Sequence, residues 1–96
     1  MLQVISKSKV KPDRTEDFKA AIKAQAPKTR SDEGCLSMRV LQCSDQVTFI
    51  MDELWESMEL FEKHLQGGGL AEFEKSIADI VDGPVEPYFG ELLIEV

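Results

Sequence analysis

The sequence predicts an α+β fold in which a four-stranded antiparallel sheet carries helices on one face. Two runs of alternating residues, 2–10 and 86–96, indicate the first and last strands. Two runs rich in β-forming side chains, 35–43 and 46–55, are joined by only two polar residues and therefore indicate a hairpin. Helical periodicity fills the two remaining segments. The resulting order, β-α-β-β-α-β, is the ferredoxin-like pattern.

The first helical segment follows the sequence KPDRTEDF. Asp13 and Glu16, three residues apart, resemble a capping box and predict the start of the helix. Pro27 is expected to bend or end it, and residues 31–34 are expected to form the turn that follows. A mostly apolar stripe at helical spacing consists of Phe18, Ala21, Ile22 and Gln25.

The second helical region is interrupted by three consecutive glycines, 67–69. Each glycine inside a helix costs about 1 kcal/mol relative to alanine, so three together predict a break. Ser57 is a good N-cap for the first half, and the second half is expected over 70–81, with Gly83 and Pro84 ending it. The break is either structural or opens a pocket. One side of the first half carries Leu60, Phe61, His64 and Leu65.

Length and charge limit the possible functions. Ninety-six residues make a single domain, 1–96, and the net charge of −7 argues against nucleic acid and anionic membranes as partners. No run approaches the roughly 20 apolar residues that cross a bilayer, and no signal peptide is evident, so a cytoplasmic location is expected. No cysteine–histidine cluster has zinc spacing, so no metal site is expected, and no glycine-rich dinucleotide loop occurs.

The predicted sheet is apolar on both faces, although the helices can cover only one. The second strand splits into Leu36, Met38 and Val40 against Cys35, Leu41 and Cys43. The third splits into Val47, Phe49, Met51 and Trp55 against Ile50 and Leu54. Exposed apolar surface of this extent marks an interface, so we expect a homodimer that packs sheet to sheet.

Three stretches carry a family resemblance: KVKPDRTEDF, DEGCLSMRVLQ and TFIMDELWESMELFEKHL. The most specific run comprises Glu53, Trp55, Glu56, Ser57, His64 and Leu65. With these motifs the sequence resembles the antibiotic biosynthesis monooxygenase (ABM) family, a branch of the dimeric α/β-barrel superfamily that includes small quinol monooxygenases.

The resemblance implies a cofactor-free oxygenase whose deprotonated substrate, a small quinol or polyphenol, itself supplies electrons to O₂. Such a protein needs an apolar pocket between sheet and helices and a base near the phenolic proton. Two departures matter. Similar family members carry a second histidine where this chain has Gly68, Gly69 and Leu70. The heme-degrading relatives use an asparagine, and this chain contains none, so heme degradation is not expected.

His64, Glu53 and Trp55 are the candidate catalytic residues. His64 is the natural base because histidine titrates near neutral pH, although a packed core histidine would show the same pattern. Glu53 shares a strand face with Trp55, where a buried carboxylate needs a partner. Glu53 either forms a salt bridge with an arginine such as Arg39, across the hairpin or the dimer, or it orients His64 or a substrate hydroxyl. Trp55 is either core or pocket wall.

The candidate substrate-binding residues are mainly apolar side chains that would line the same cavity or serve as core. Tyr88 could add a hydroxyl from the last strand. The full set is Met38, Phe49, Met51, Phe73, Ile77 and Tyr88.

Two other functions stay open beside the oxygenase. The missing second histidine favours a non-catalytic small-molecule binder on the same dimeric barrel. The third is an isomerase that rearranges a small carbonyl or signalling compound by proton transfer. Fold alone does not decide among them.

Overall fold

The frame of the molecule is one antiparallel sheet with the strand order β2-β3-β1-β4. The computed structural model describes residues 1–67 and 69–96. The strands are β1 (Leu2–Lys9), β2 (Cys35–Gln42), β3 (Thr48–Trp55) and β4 (Glu86–Gly90), and the helices are α1 (Thr15–Ser31), α2 (Met58–Leu65) and α3 (Leu70–Ile77). The predicted α+β ferredoxin-like order and the β2–β3 hairpin are both confirmed.

The two faces of the sheet have different environments. Along β3, side chains alternate between buried and partly exposed, and Phe49, Met51, Glu53 and Trp55 point to the side that carries the helices. Their neighbours Ile50, Asp52 and Leu54 point to the open face. Burying one face of an antiparallel sheet in this way fixes its register, because a slip of one residue would exchange the faces. The core consists of two clusters on the helix side, one around Phe18 and Phe49 and the other around Trp55 and Phe61.

A β-bulge at the start of β2 changes the direction in which one side chain points. Cys35 pairs with Trp55 and Ser37 pairs with Leu54, so one extra residue lies between them. Cys35 therefore shares the helix face with Met38, and it is buried. The alternation that placed Cys35 and Met38 on opposite faces is wrong because it assumed an unbroken strand.

Helix α1 begins later and continues further than expected. A short 3₁₀ turn, Pro12–Arg14, precedes it, the N-cap is Arg14, and no side chain caps the first turn. The predicted Asp13–Glu16 capping box is wrong because Asp13 lies inside that turn. Pro27 lies within the helix rather than at its end. Thr29, two residues after Pro27, is buried, so tertiary packing stabilises the last turn of the helix.

The second helical region is divided into two helices, as predicted. The Ser57 Oγ accepts a hydrogen bond from the Leu60 backbone N–H at 3.2 Å, which confirms the N-cap of α2. Gly69 precedes α3 and has a φ of 76°, a left-handed conformation that favours glycine. Gly68 lies outside the described residues. Helix α3 ends at Ile77 rather than at 81, and Val81 instead forms an isolated β-bridge with Val10, just beyond the end of β1.

Strand β4 is shorter than the predicted strand 86–96. Its last residue, Gly90, pairs with Gln3, and β1 begins only one residue earlier, at Leu2. Beyond Gly90, strand β1 offers almost no further residues for β4 to pair with, and residues 91–96 have no regular secondary structure. Their apolar side chains are exposed: Leu92, Leu93, Ile94 and Val96.

Candidate active site

A cavity of about 300 Å³ lies between the helix side of the sheet and the three helices. This volume is at the lower end of the range of small-molecule sites, about 300–1,000 Å³. Its walls are mainly apolar, and its polar side chains come from β1, α1, β3, α2 and α3. Among the predicted site residues, those that line it are Met38, Met51, Glu53, His64, Phe73 and Ile77.

His64 contributes an imidazole to the cavity wall from the last turn of α2. It is only 6% exposed, and its Nδ1 lies 2.5 Å from the Asp32 Oδ2, just beyond the end of α1. A carboxylate beside Nδ1 favours the tautomer in which Nδ1 carries the proton and donates it to the carboxylate. The lone pair is then on Nε2, at the other edge of the ring. Such an imidazole can accept a proton from a bound ligand.

Aromatic packing holds the His64 ring in place. The Trp55 ring centroid lies 4.8 Å from that of His64, and the Phe61 ring packs nearly edge-on against Trp55 at 5.6 Å. Trp55 is fully buried and does not line the cavity. Trp55 is therefore a core residue rather than part of the pocket wall. Its indole supports the site from behind.

Glu53 is a buried carboxyl group beside the histidine. The Trp55 Nε1 donates a hydrogen bond to the Glu53 Oε1 at 2.9 Å. Arg39, which was one of two alternatives for Glu53, does not pair with it across the hairpin: Arg39 binds Asp52 at 2.6 Å on the open face of the sheet. Burial raises the pKa of the Glu53 carboxyl, and the Trp55 hydrogen bond and the nearby His64 partly offset this. The cavity wall thus holds two groups suited to proton transfer.

A second polar pair faces the cavity from α1. The Gln25 Nε2 donates a hydrogen bond to the Thr29 Oγ1 at 3.2 Å, one helical turn away. Both residues are at least 95% buried, and both line the cavity. The sequence showed Gln25 on the inner stripe of the helix but gave no sign that it would reach a cavity.

Two predicted binding residues lie away from the cavity. Phe49 is in the core, with its ring centroid 4.7 Å from that of Phe18. Tyr88 is 57% exposed and lies on the open face of the sheet, because it pairs with Ile5. Its neighbour Phe89 points into the cavity instead. Tyr88 and Phe89 are consecutive in β4, so their side chains point to opposite faces of the sheet and only Phe89 lines the cavity.

Asp32 was missed by sequence reasoning. The stretch SDEG predicts a turn, and its acidic residues are typical of exposed turns. The contact with His64 joins residues 32 positions apart, and no local pattern reports it. A signal was nevertheless available, since a histidine on an apolar helical stripe must find a polar partner when it is buried.

The cavity opens between strand β4 and helices α2 and α3. Three apolar residues that line it are also substantially exposed: Leu65, Val85 and Phe89. The Phe89 ring packs against Phe61 at 5.7 Å, which connects this strand to α2. A ligand would therefore enter past apolar side chains and meet the polar groups deeper inside.

Two features of the described chain complete the picture of the site. Within residues 1–67 and 69–96, no group of three histidine, cysteine or carboxylate side chains is placed to hold a metal ion. Over the same two ranges, none of the helices is both long and apolar enough to cross a bilayer.

One family model matches most of the chain, and two curated proteins are similar to it. A model of antibiotic biosynthesis monooxygenases matches residues 1–80. N-terminal EF-hand calcium-binding protein 1 of Homo sapiens is 28% identical over 69 residues, which are 72% of this chain and 20% of that protein. An uncharacterized Synechocystis protein, sll1783, is 29% identical over 79 residues, 81% of this chain and 54% of that one. This chain thus spans about a fifth to a half of the length of these relatives.

Solved structures share the fold. A Nitrosomonas europaea protein assigned to the antibiotic biosynthesis monooxygenases superposes with a TM-score of 0.92 at 22% identity, over 98% of this chain and 100% of that one. At this identity the likeness concerns the fold alone. The family model, however, covers 80 of the 96 residues. The chain therefore belongs to the antibiotic biosynthesis monooxygenase family.

Proposed function

We propose that this protein is a cofactor-independent monooxygenase that oxidises a small quinol or polyphenol with O₂. One observation carries the proposal: a buried imidazole, oriented by Asp32, lies in the wall of a largely apolar cavity. Buried polar groups placed in an apolar pocket are typical of sites that perform proton chemistry.

The chemistry requires one proton transfer at the start. His64 Nε2 accepts the proton of a substrate hydroxyl, and Asp32 stabilises the imidazolium that results. The substrate anion supplies the electrons that reduce O₂. In the balanced reaction a quinol and O₂ give a hydroxylated quinone and water. One oxygen atom bonds to a ring carbon and the O–O bond breaks. The other oxygen atom leaves as water, with the proton that His64 returns and the hydrogen that the ring carbon loses.

The size and walls of the cavity support this substrate class. A volume of about 300 Å³ suits one or two fused rings rather than a polycyclic molecule. Met51, Phe73 and Ile77 provide flat apolar contacts for such rings. Glu53 lies close enough to His64 for the imidazole to lower the pKa of the Glu53 carboxyl, and this carboxyl can hydrogen-bond a ring hydroxyl.

Oxygen uptake with ¹⁸O₂ tests the proposal. Anaerobically reduced one- and two-ring quinones are mixed with the protein, and the initial rate is compared with the uncatalysed rate. We expect a faster rate, with one ¹⁸O atom in the product. A rate equal to the background for the whole panel would contradict the proposal, and so would a product without ¹⁸O.

Two variants identify the base in the same assay. His64→Ala removes the proton acceptor and is expected to lower the rate about a hundredfold or more. Asp32→Asn loses the charge that stabilises the imidazolium and should lower the rate at least about tenfold. The matched control is Glu33→Gln, which removes the neighbouring exposed carboxylate bonded to Lys63 and should leave the rate unchanged. Full activity of the His64 variant would exclude this residue as the base.

The pair of proton-transfer groups also favours a second candidate, an isomerase of a small carbonyl compound. His64 and Glu53 could act as base and acid on neighbouring carbon and oxygen atoms without O₂. Turnover of a hydroxyketone under argon would favour this reading over the oxygenase. The chain's single histidine leaves room for the non-catalytic binder, which a thermal shift without turnover would favour.

A further inference from the structure

We propose that Gln25 and Thr29 form a second polar subsite that binds an oxygen atom of the substrate remote from the hydroxyl that faces His64. The substrate is accordingly a flat aromatic molecule with two oxygen functions, a diol or a hydroxyketone, rather than a monophenol. This inference rests on the proposed function in one respect, since it takes the cavity beside His64 as the substrate site.

Burial is the first argument. Gln25 is 5% exposed and Thr29 is 3% exposed, yet both line the cavity. Burying an amide without hydrogen bonds costs several kcal/mol relative to water, so a buried glutamine needs partners. The Nε2 end of the amide has one in Thr29. Among the described residues, the Ser8 Oγ is the one fully enclosed polar side-chain atom that lacks a hydrogen bond, so the Oε1 end of Gln25 is not sealed inside the protein. Because Gln25 lines the cavity, a ligand hydroxyl there would supply a bond to Oε1.

Position along α1 is the second argument. Gln25, Thr29 and Asp32 follow one another at spacings of four and three, which places them on one side of the chain. Gln25 lies seven residues before Asp32, about 10 Å away along the helix axis. Asp32 holds His64, so the Gln25 backbone is displaced by about this distance from the residue that contacts the imidazole. A ligand that reaches both must carry its oxygen atoms on separate parts of the ring system.

The apolar part of the cavity wall is the third argument. Met51, Phe73 and Ile77 contribute only apolar atoms to the cavity wall. A ring fits against such a surface, whereas a chain of hydroxyl groups would lose hydrogen bonds to water there. A site with buried polar groups also discriminates against an analogue that lacks the matching oxygen, because those groups are then left unpaired.

Anaerobic binding measurements test the subsite without any turnover. The probes are 1,4-dihydroxynaphthalene and 1-naphthol, which share a ring system and differ by one hydroxyl. Isothermal titration under argon gives a Kd for each. We expect the wild-type protein to bind the diol at least about fivefold more tightly, the effect of roughly one hydrogen bond. Equal affinity of the two probes for the wild-type protein would overturn the proposal.

Near-isosteric variants locate the discrimination. Gln25→Leu and Thr29→Val are expected to reduce the ratio of the two Kd values toward one, mainly by weakening diol binding. Ser8→Ala is the matched control: Ser8 is 1% exposed and does not line the cavity, so its removal should leave the ratio unchanged. A purely structural role would instead lower the melting temperature and weaken both probes equally, which would contradict the subsite.

The two proposals fail in different ways. A preserved preference for the diol without ¹⁸O incorporation would refute the oxygenase and leave the subsite standing. Oxygen incorporation without any preference between the probes would refute the subsite and leave the oxygenase standing.

Discussion

Glu53 shows how the environment of one residue sets its chemistry. Its carboxyl group lies among apolar side chains, is only 7% exposed, and has the Trp55 indole as its hydrogen-bond donor. Burial disfavours the charged form, and the pKa of Glu53 is raised as a result. The folded protein therefore binds this proton more readily than the unfolded chain does, and stability must depend on pH through this group.

The sign of that dependence gives a prediction. A carboxyl whose pKa is raised in the folded protein stabilises the fold at a pH below its pKa in the unfolded chain, roughly 4.3. This stabilisation is lost as the pH rises through the pKa of the folded protein. Glu53→Gln keeps the shape and cannot ionise. We expect the variant to gain stability relative to the wild-type protein as pH rises from about 4 to 8. Urea unfolding at each pH measures the difference, and a difference independent of pH would contradict the expectation.

Two other side chains at this scale show what could be predicted for the site. His64 and Glu53 were predicted because each is a polar residue on an apolar face, which is a local signal. Asp32 was not, because its contact with His64 depends on how α1 and α2 are placed relative to each other. Long-range pairs of this kind leave no mark on the spacing of neighbouring residues.

The turn between α1 and β2 is the element that brings Asp32 and His64 together. Gly34 has a φ of 90°, and a Cβ built on it would lie 2.7 Å from the Leu60 side chain of α2. Its carbonyl accepts a hydrogen bond from the Glu56 backbone N–H at 2.8 Å. The end of α1 is thus held against the start of α2 through a position that only glycine fits.

Gly34→Ala should therefore be strongly destabilising. The left-handed backbone costs an alanine about 1–2 kcal/mol, and the contact with Leu60 adds to this. The matched control is Gly83→Ala, where φ is 101° but a new Cβ would meet nothing within 4 Å. Urea unfolding should show a clearly larger loss for the Gly34 variant. Equal losses at the two positions would mean that Leu60 moves aside without cost.

Elements differ in how far sequence predicts them. The hairpin and the divided second helix were predicted because β-propensity, a capping serine and consecutive glycines act locally. The bulge near Cys35, the passage of α1 through Pro27 and the early end of β4 were not. Each of these depends on a partner: a facing strand, a packed last turn, or the length of β1. Local patterns carry no information about such partners.

The open face of the sheet bears on the whole molecule. Leu41 is 61% exposed and Tyr88 is 57% exposed, and Ile50 lies near the centre of the same face. The face is not uniformly apolar, since Arg39 and Asp52 form an ion pair on it. We propose that a second copy of the chain covers this face, as the apolar patterning of the strands predicts. A symmetric pair would place the same residues on both sides.

Light scattering at micromolar concentration tests the assembly. We expect a mass twice the 10.8 kDa of one chain. Ile50→Lys places a charge in the middle of the proposed interface and should give single chains that keep the wild-type circular dichroism spectrum. Ala24→Lys adds the same charge on an exposed part of α1 and should stay paired. A wild-type mass of one chain would refute the pairing.

The partial exposure of Asp32 beside the buried His64 has a consequence for how the site could cycle. Asp32 keeps 27% of its side chain accessible to water, while the ring it holds is almost fully enclosed. In the proposed reaction, protons would then exchange with bulk water through Asp32, while the substrate and product would pass through the apolar opening beside β4. With separate routes, His64 would lose its proton between turnovers without water entering the cavity where O₂ reacts.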